Sequence, residues 1–174
     1  RMLDMGFMEE VDDIVAQCPE NRQTLLFSAT LPQEITQLAT DMLRDPARVA
    51  VAPTSTVADN IEQQVMFVEK ADKRALLTDV LDDHGIERAI VFTRTKHRAN
   101  RVARDLVKKG ISADAIHSNK SQGARQRALG AFDAGNVRVL VATDIVSRGI
   151  DVDAITHVIN FEIPNEPEAY VHRI

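Results

Sequence analysis

Four short segments of the chain are rich in hydroxyls, three of them with cations beside, in a way that suits phosphate oxygens. They are Ser28-Ala29-Thr30, Thr93-Arg94-Thr95-Lys96, His117-Ser118-Asn119-Lys120-Ser121 and Thr143-Asp144-Ile145-Val146-Ser147-Arg148-Gly149. All are hydroxyl-rich and three are basic. Phosphate binding calls for hydroxyls, the open amides of a helix N-terminus and Arg or Lys. Gln122 and Arg125 follow the third segment, and an arginine there can grip a phosphate through two parallel hydrogen bonds. The alternative is a surface charge on an amphipathic helix. Thr30 likewise has a plainer reading, as the cap of a helix opened by Pro32, and Gly149 and Asp151 as parts of a local turn.

The elements around these segments alternate short apolar runs with amphipathic stretches, the pattern of an α/β protein with a mainly parallel, buried sheet. Thr24–Phe27 and Arg48–Ala52 read as strands, with a helix after Pro32 that places Ile35, Leu38, Ala39 and Met42 on one face. Residues 52–60 (APTSTVADN) are polar, contain proline and lack periodicity, as a linker would. Beyond them Glu62–Glu69 alternates like a strand. Helices are expected at 73–84, 97–109 and 122–134, ending near Gly85, Gly110 and Gly135. Strands are expected at 89–92, 113–117, 137–142 and 157–161. In open parallel sheets ligands sit at the carboxyl ends of strands, where three of the four segments fall with the sheet of 89–161.

Composition bounds the class. The chain has 174 residues, 44% of them hydrophobic and 27% charged, which fits a globular protein and excludes a disordered or fibrous one. No apolar run approaches the roughly 18 residues of a membrane span, and charges lie where a signal peptide would carry its apolar core, so a cytoplasmic location without membrane contact is expected. Cys18 has no partner cysteine, and the five histidines lack metal-ligand spacing, so no metal site is expected. The net charge of −5 argues at first against nucleic acid. Resolved by segment, residues 1–52 hold four basic and nine acidic side chains, whereas Arg88–Arg127 holds eleven Lys/Arg against Asp105 and Asp114, a net +9. Half or more of that block can be a solvated helix face; the sharper reading is a phosphate-binding surface.

These segments, in this order, resemble the conserved motifs of the DEAD-box family of ATP-dependent RNA helicases, superfamily 2, most closely its bacterial members. Ser28-Ala29-Thr30 is similar to motif III, Ile90–Lys96 to motif IV and Gln122-x-x-Arg125 to motif IVa. Ala142–Asp151 (ATDIVSRGID) is similar to motif V, and Tyr170–Ile174 (YVHRI) to the opening of motif VI. Arg1–Phe7 is like the segment that follows the Asp-Glu-Ala-Asp box. The resemblance implies a RecA-like three-layer α/β fold. Residues 1–52 would be the C-terminal part of a first RecA-like lobe, 53–60 an interlobe linker and hinge, and 61–174 a second lobe.

It further implies an RNA-stimulated ATPase whose two lobes close on ATP with Mg2+ and separate RNA strands locally. Thr95, Gln122, Arg125, Thr143, Asp144 and Arg148 would meet the RNA backbone, with little sequence reading and a preference for RNA over DNA. Gly149 and Asp151 would meet the ATP, and Ser28, Thr30, His172 and Arg173 would couple its state to lobe closure. By the same resemblance the sequence starts after the phosphate-binding loop and the acidic box that holds magnesium, and stops before the arginine fingers. The 174 residues alone are therefore expected to turn over no ATP, to bind RNA weakly at best, and to associate through the apolar runs of 1–52.

Two other classes compete. A non-catalytic RecA-like module would scaffold RNA or protein, and a small flavodoxin-type enzyme would present a neutral or acidic ligand edge, which the basic loops disfavour.

Overall fold

The structure, a computed structural model, describes residues 7–28, 31, 33–50, 61–83, 85–144, 152 and 155–173. The chain divides into two compact units, Arg1–Thr56 and Val57–Ile174.

In the first unit, helix α1 spans Met8–Ala16 and α2 spans Gln33–Met42. Glu9 and Glu10 lie in the first turn of α1, where the helix dipole favours negative charge. Val11, Ile14 and Val15 carry its 3–4 spacing, a signal the sequence reading passed over. Ile35 and Leu38 are the buried positions of α2, as its periodicity predicts.

The expected strands at 24–27 and 62–69 do not form, and the described part of 48–52 is irregular as well. A strand is defined by its ladder, and none of these runs pairs with a neighbour among the described residues. Their apolar side chains stay in water: Phe27 is 89% exposed and Phe67 97%. The linker at 53–60 lies outside the described residues.

The second unit begins with α3 (Lys73–Leu81), followed by β1 (Ala89–Phe92), α4 (Lys96–Lys108), β2 (Ala113–Ile116), α5 (Gln122–Asp133), β3 (Val139–Ala142), β4 (His157–Ile159) and α6 (Pro167–Val171). The four strands form one sheet in the order β2-β3-β1-β4, with every pairing parallel. The chain steps from β1 over β3 to β2 and then reverses to β3. Right-handed crossovers therefore put α4 and α5 on opposite faces.

Alternation along β1 confirms this. Ala89 and Val91 pack with Leu77 and Leu81 of α3 and with Ala99, Val102, Ala103 and Leu106 of α4. Ile90 and Phe92 pack with Ala128 and Phe132 of α5. The unit is thus the three-layer α/β/α fold expected, its strands buried on both faces and accordingly continuous apolar runs.

Gly110 (φ +86°) and Gly135 (φ +76°) take the left-handed conformation that ends α4 and α5. After α4 the Ile111 amide donates to Leu106 O at 3.1 Å, satisfying a terminal carbonyl. Helix α3 ends at Leu81, earlier than predicted, and the Arg138 guanidinium at the foot of β3 donates to the carbonyls of Leu81 and Ile86. On the outer strand, the Ala115 amide donates to the Asp114 carboxylate at 2.7 Å, and Lys120 Nζ meets the same oxygen at 2.7 Å.

Candidate nucleic-acid interface

The register of the sheet aligns Phe92, Ala142 and Ile116 across β1, β3 and β2. The next residue of each strand is polar, so Thr93, Thr143 and His117 stand in a row at the carboxyl edge, all buried. The Thr93 amide extends the ladder to Ala142 O at 3.0 Å.

Two helices start from this edge. Thr95 caps α4, its hydroxyl accepting from the Arg98 amide at 3.3 Å, and Ser121 caps α5, accepting from the Ala124 amide at 3.3 Å. Neither first turn contains an acidic residue. Lys96 Nζ donates to Asn119 Oδ1 at 2.9 Å and ties the two starts together. Both helices thus present open amides and the positive end of a dipole to the same edge.

The cations near the edge divide into held and available. The Arg94 amide donates to Glu162 Oε2 at 3.0 Å and its Nε to Ile163 O at 2.9 Å, while Arg98 pairs with Glu162 Oε1. Arg94 and Arg98 are therefore clamped to the chain beyond β4. Arg125, in the first turn of α5, keeps a buried Nε with no hydrogen-bond partner among the described residues. An unmade hydrogen bond of this kind costs about 1–3 kcal/mol. Gln122 is exposed in the same turn, and Thr95 is exposed at the start of α4.

His117 is buried with its Nε2 at 2.9 Å from Asn100 Oδ1 and its Nδ1 without a hydrogen-bond partner among the described residues. Burial lowers its pKa below 6.5, and the charges of Lys120, Lys96 and His97 push in the same direction against Asp114. The ring is therefore neutral near pH 7, and the edge gains no charge from it.

Arg173 is 5% exposed. Its guanidinium holds both oxygens of Asp144 (2.5 and 2.8 Å), Asn160 Oδ1 (2.8 Å) and Glu162 O (2.7 Å), and lies 4.8 Å from the centre of the Phe92 ring. Every one of its nitrogens is committed within the chain. The Asp144 carboxylate, a residue expected at the RNA surface, is held by this arginine through both oxygens. His172 is exposed.

Of the remaining predicted residues, Ser28 lies exposed in the first unit, and Thr30, Arg148, Gly149 and Asp151 fall outside the described residues. The edge thus brings together Thr95, Gln122, Arg125 and Thr143. Asn100, Asn119, Asn160 and Glu162 had no signal in the sequence: each acts on a residue 13 to 68 positions away.

Among the described residues no helix is long and apolar enough to cross a membrane. A cavity of about 430 Å³ between α3 and α4, lined by Ala75, Thr78, Val102 and Lys109, opens away from the strand ends.

Fold and edge together define a RecA-like α/β unit with a phosphate-ready rim. The family model described as "Helicase conserved C-terminal domain" matches residues 72–174, and that described as "DEAD/DEAH box helicase" matches residues 1–38. The chain belongs to the DEAD-box helicase family. It is 42% identical over 173 residues to the DEAD-box ATP-dependent RNA helicase CshA of Streptococcus pneumoniae, covering 99% of this chain and 33% of that protein. The CshA of Geobacillus kaustophilus is 43% identical, with 99% and 37% covered. Among solved structures, S. cerevisiae Dbp5 bound to RNA and ADP BeF3 superposes with a TM-score of 0.88 at 27% identity, covering 99% of this chain and 46% of that one. The chain spans about a third of the length of the curated relatives it matches.

Proposed function

We propose that this chain is part of an ATP-dependent RNA helicase and that the carboxyl edge of its sheet is the RNA-backbone surface of the second RecA-like lobe. The observation that carries this is the pair of hydroxyl-capped, acid-free helix starts of α4 and α5, tied by Lys96 and Asn119 on one edge. Thr95, Thr143, Gln122 and Arg125 are the groups that meet phosphates there. Open amides and hydroxyls are blind to base identity, so the surface grips backbone without reading sequence. Asp144 and Arg148 are further candidates for the RNA surface, Asp144 with its carboxylate held by Arg173.

Residues 1–52 are read as the tail of the first lobe, 53–60 as the linker and 61–174 as the second lobe. The division of the chain near residue 56 and the two separate family matches support this. In the whole protein, ATP binding brings the lobes together on the RNA and bends one strand out of a duplex. Gly149 and Asp151 are the candidates for ATP contact, with Ser28, Thr30 and His172 coupling its state to closure. The described residues contain no cluster of three or more His, Cys, Asp or Glu that could hold Mg2+. A cytoplasmic enzyme is the corresponding cellular reading.

The test is RNA binding by the 174-residue chain across a salt series, with Arg125→Ala and Thr143→Ala beside it. Each substitution is expected to weaken binding, and Arg125→Ala to flatten the salt dependence by about one phosphate contact. Unchanged affinity and slope in both variants would sink the assignment.

A further inference from the structure

The outward face of α4 carries His97, Arg101, Arg104 and Lys108, at helical positions i, i+4, i+7 and i+11. All four are exposed, and they lie opposite the buried Ala99, Val102, Ala103 and Leu106. They form one straight stripe about 16 Å long. None of them makes an ion pair or a hydrogen bond among the described residues. Of the nearby carboxylates among the described residues, Asp105 is engaged by Arg74 at 2.9 Å, and Asp114, which lines a groove with Arg104, by Lys120 at 2.7 Å.

An ordinary solvated helix face mixes signs, because opposite charges three or four residues apart attract. Here the neighbours repel: His97 with Arg101 when the histidine is charged, Arg101 with Arg104, and Arg104 with Lys108. Lys96, His97 and Arg98 also crowd the N-terminal turn, where the dipole disfavours cations. Lys96 and Arg98 are offset by Asn119 and Glu162, whereas the exposed row of His97, Arg101, Arg104 and Lys108 has no such partner among the described residues.

We infer that the α4 stripe is a second RNA-backbone track, which takes the strand where it leaves the carboxyl edge and guides it along the outside of the lobe. This rests on the reading of that edge as an RNA surface. The stripe begins at His97, within one turn of Thr95 and Lys96 on the phosphate-ready rim, and its cations recur about once per 5.4 Å helical turn. The row itself is cationic, with the exposed Val107 only at its flank, whereas a protein partner's docking patch has a dry apolar centre. A flexible polyanion is the partner that a purely cationic row fits, held by release of its counterions.

The experiment compares the wild-type 174-residue chain with the triple variant Arg101→Gln/Arg104→Gln/Lys108→Gln, on single-stranded RNAs of about 6 and about 25 nucleotides, lengths within and beyond a typical single site. Affinity for the short RNA is expected to be unchanged. Affinity for the long RNA should fall about tenfold at low salt, and the slope of log affinity against log salt should decrease by about 2, as losing three single-strand phosphate contacts requires. An unchanged slope on the long RNA, or an equal loss on both lengths, overturns the track. Failure of the underlying reading is visible separately, as short-RNA binding that Arg125→Ala leaves untouched. The substituted positions are exposed, so the melting temperature, expected not to fall, reports that the fold is kept.

Discussion

Arg173 grips Asp144 through both carboxylate oxygens across 29 residues of chain, Nε to Oδ1 at 2.5 Å and an outer nitrogen to Oδ2 at 2.8 Å. The arginine is buried and the aspartate about one-third exposed. Removing either side leaves the other with unmet polar groups, and the buried guanidinium is the costlier remnant. Asp144→Ala is therefore expected to lower the unfolding free energy by about 2–3 kcal/mol. Asp144→Asn, which keeps one acceptor, should lose less. Denaturant melts of the 174-residue chain decide this, and equal losses in the two variants would contradict it.

Thr95→Asp separates capping from phosphate contact. Aspartate caps a helix as well as threonine does and suits the positive end of the dipole, so stability is expected to be unchanged or slightly raised. Its charge would repel a phosphate at the same place, so RNA affinity should drop by at least about tenfold, or about 1.4 kcal/mol. Thr95→Ala provides the contrast, costing about 1 kcal/mol of stability. Retained RNA affinity in the aspartate variant would remove Thr95 from the interface.

His117 ties stability to mildly acid pH. Its native pKa lies below 6.5, driven first by burial and then by Lys120, Lys96 and His97. Between the native and unfolded values the unfolded chain binds more protons, so stability rises with pH there. It is complete above about 6.5 and is lost as pH falls below that value. His117→Gln, which can still reach Asn100, should flatten this part of the stability profile. A variant as acid-sensitive as wild type would assign the effect to other groups.

Arg104→Glu converts repulsion on α4 into attraction toward Arg101 and Lys108. Gains of about 0.2–0.5 kcal/mol for each repaired pair predict a stability increase of up to about 1 kcal/mol. Circular dichroism melts at low salt should detect it, and the gain should shrink at high salt as screening sets in. A lower melting temperature at low salt would contradict the account of the stripe.

The second unit was largely legible from its periodicity. β1 matches the expected 89–92, and α4 and α5 lie within one residue of their expected bounds, because apolar spacing and the closing Gly110 and Gly135 agree with the tertiary solution. The runs at 24–27 and 62–69 were misread for a physical reason. Alternation and apolarity record what a segment is suited to, and a ladder partner decides whether it becomes a strand. At the edge, the residue types of Thr95, Thr143 and Arg125 were visible in the sequence. The clamp of Glu162 on Arg94 and Arg98 was not, since it is made across 64 to 68 residues. Asp144 was read beside its sequence neighbours, whereas its chemistry is set by Arg173.

The Asp114 carboxylate on β2 has a consequence for the sheet as a whole. By accepting the Ala115 amide and holding Lys120, it occupies the backbone donor that an incoming strand would need and sets a charged pair in that strand's path. The second unit thereby meets an approaching sheet at this margin with a charged pair instead of an open donor.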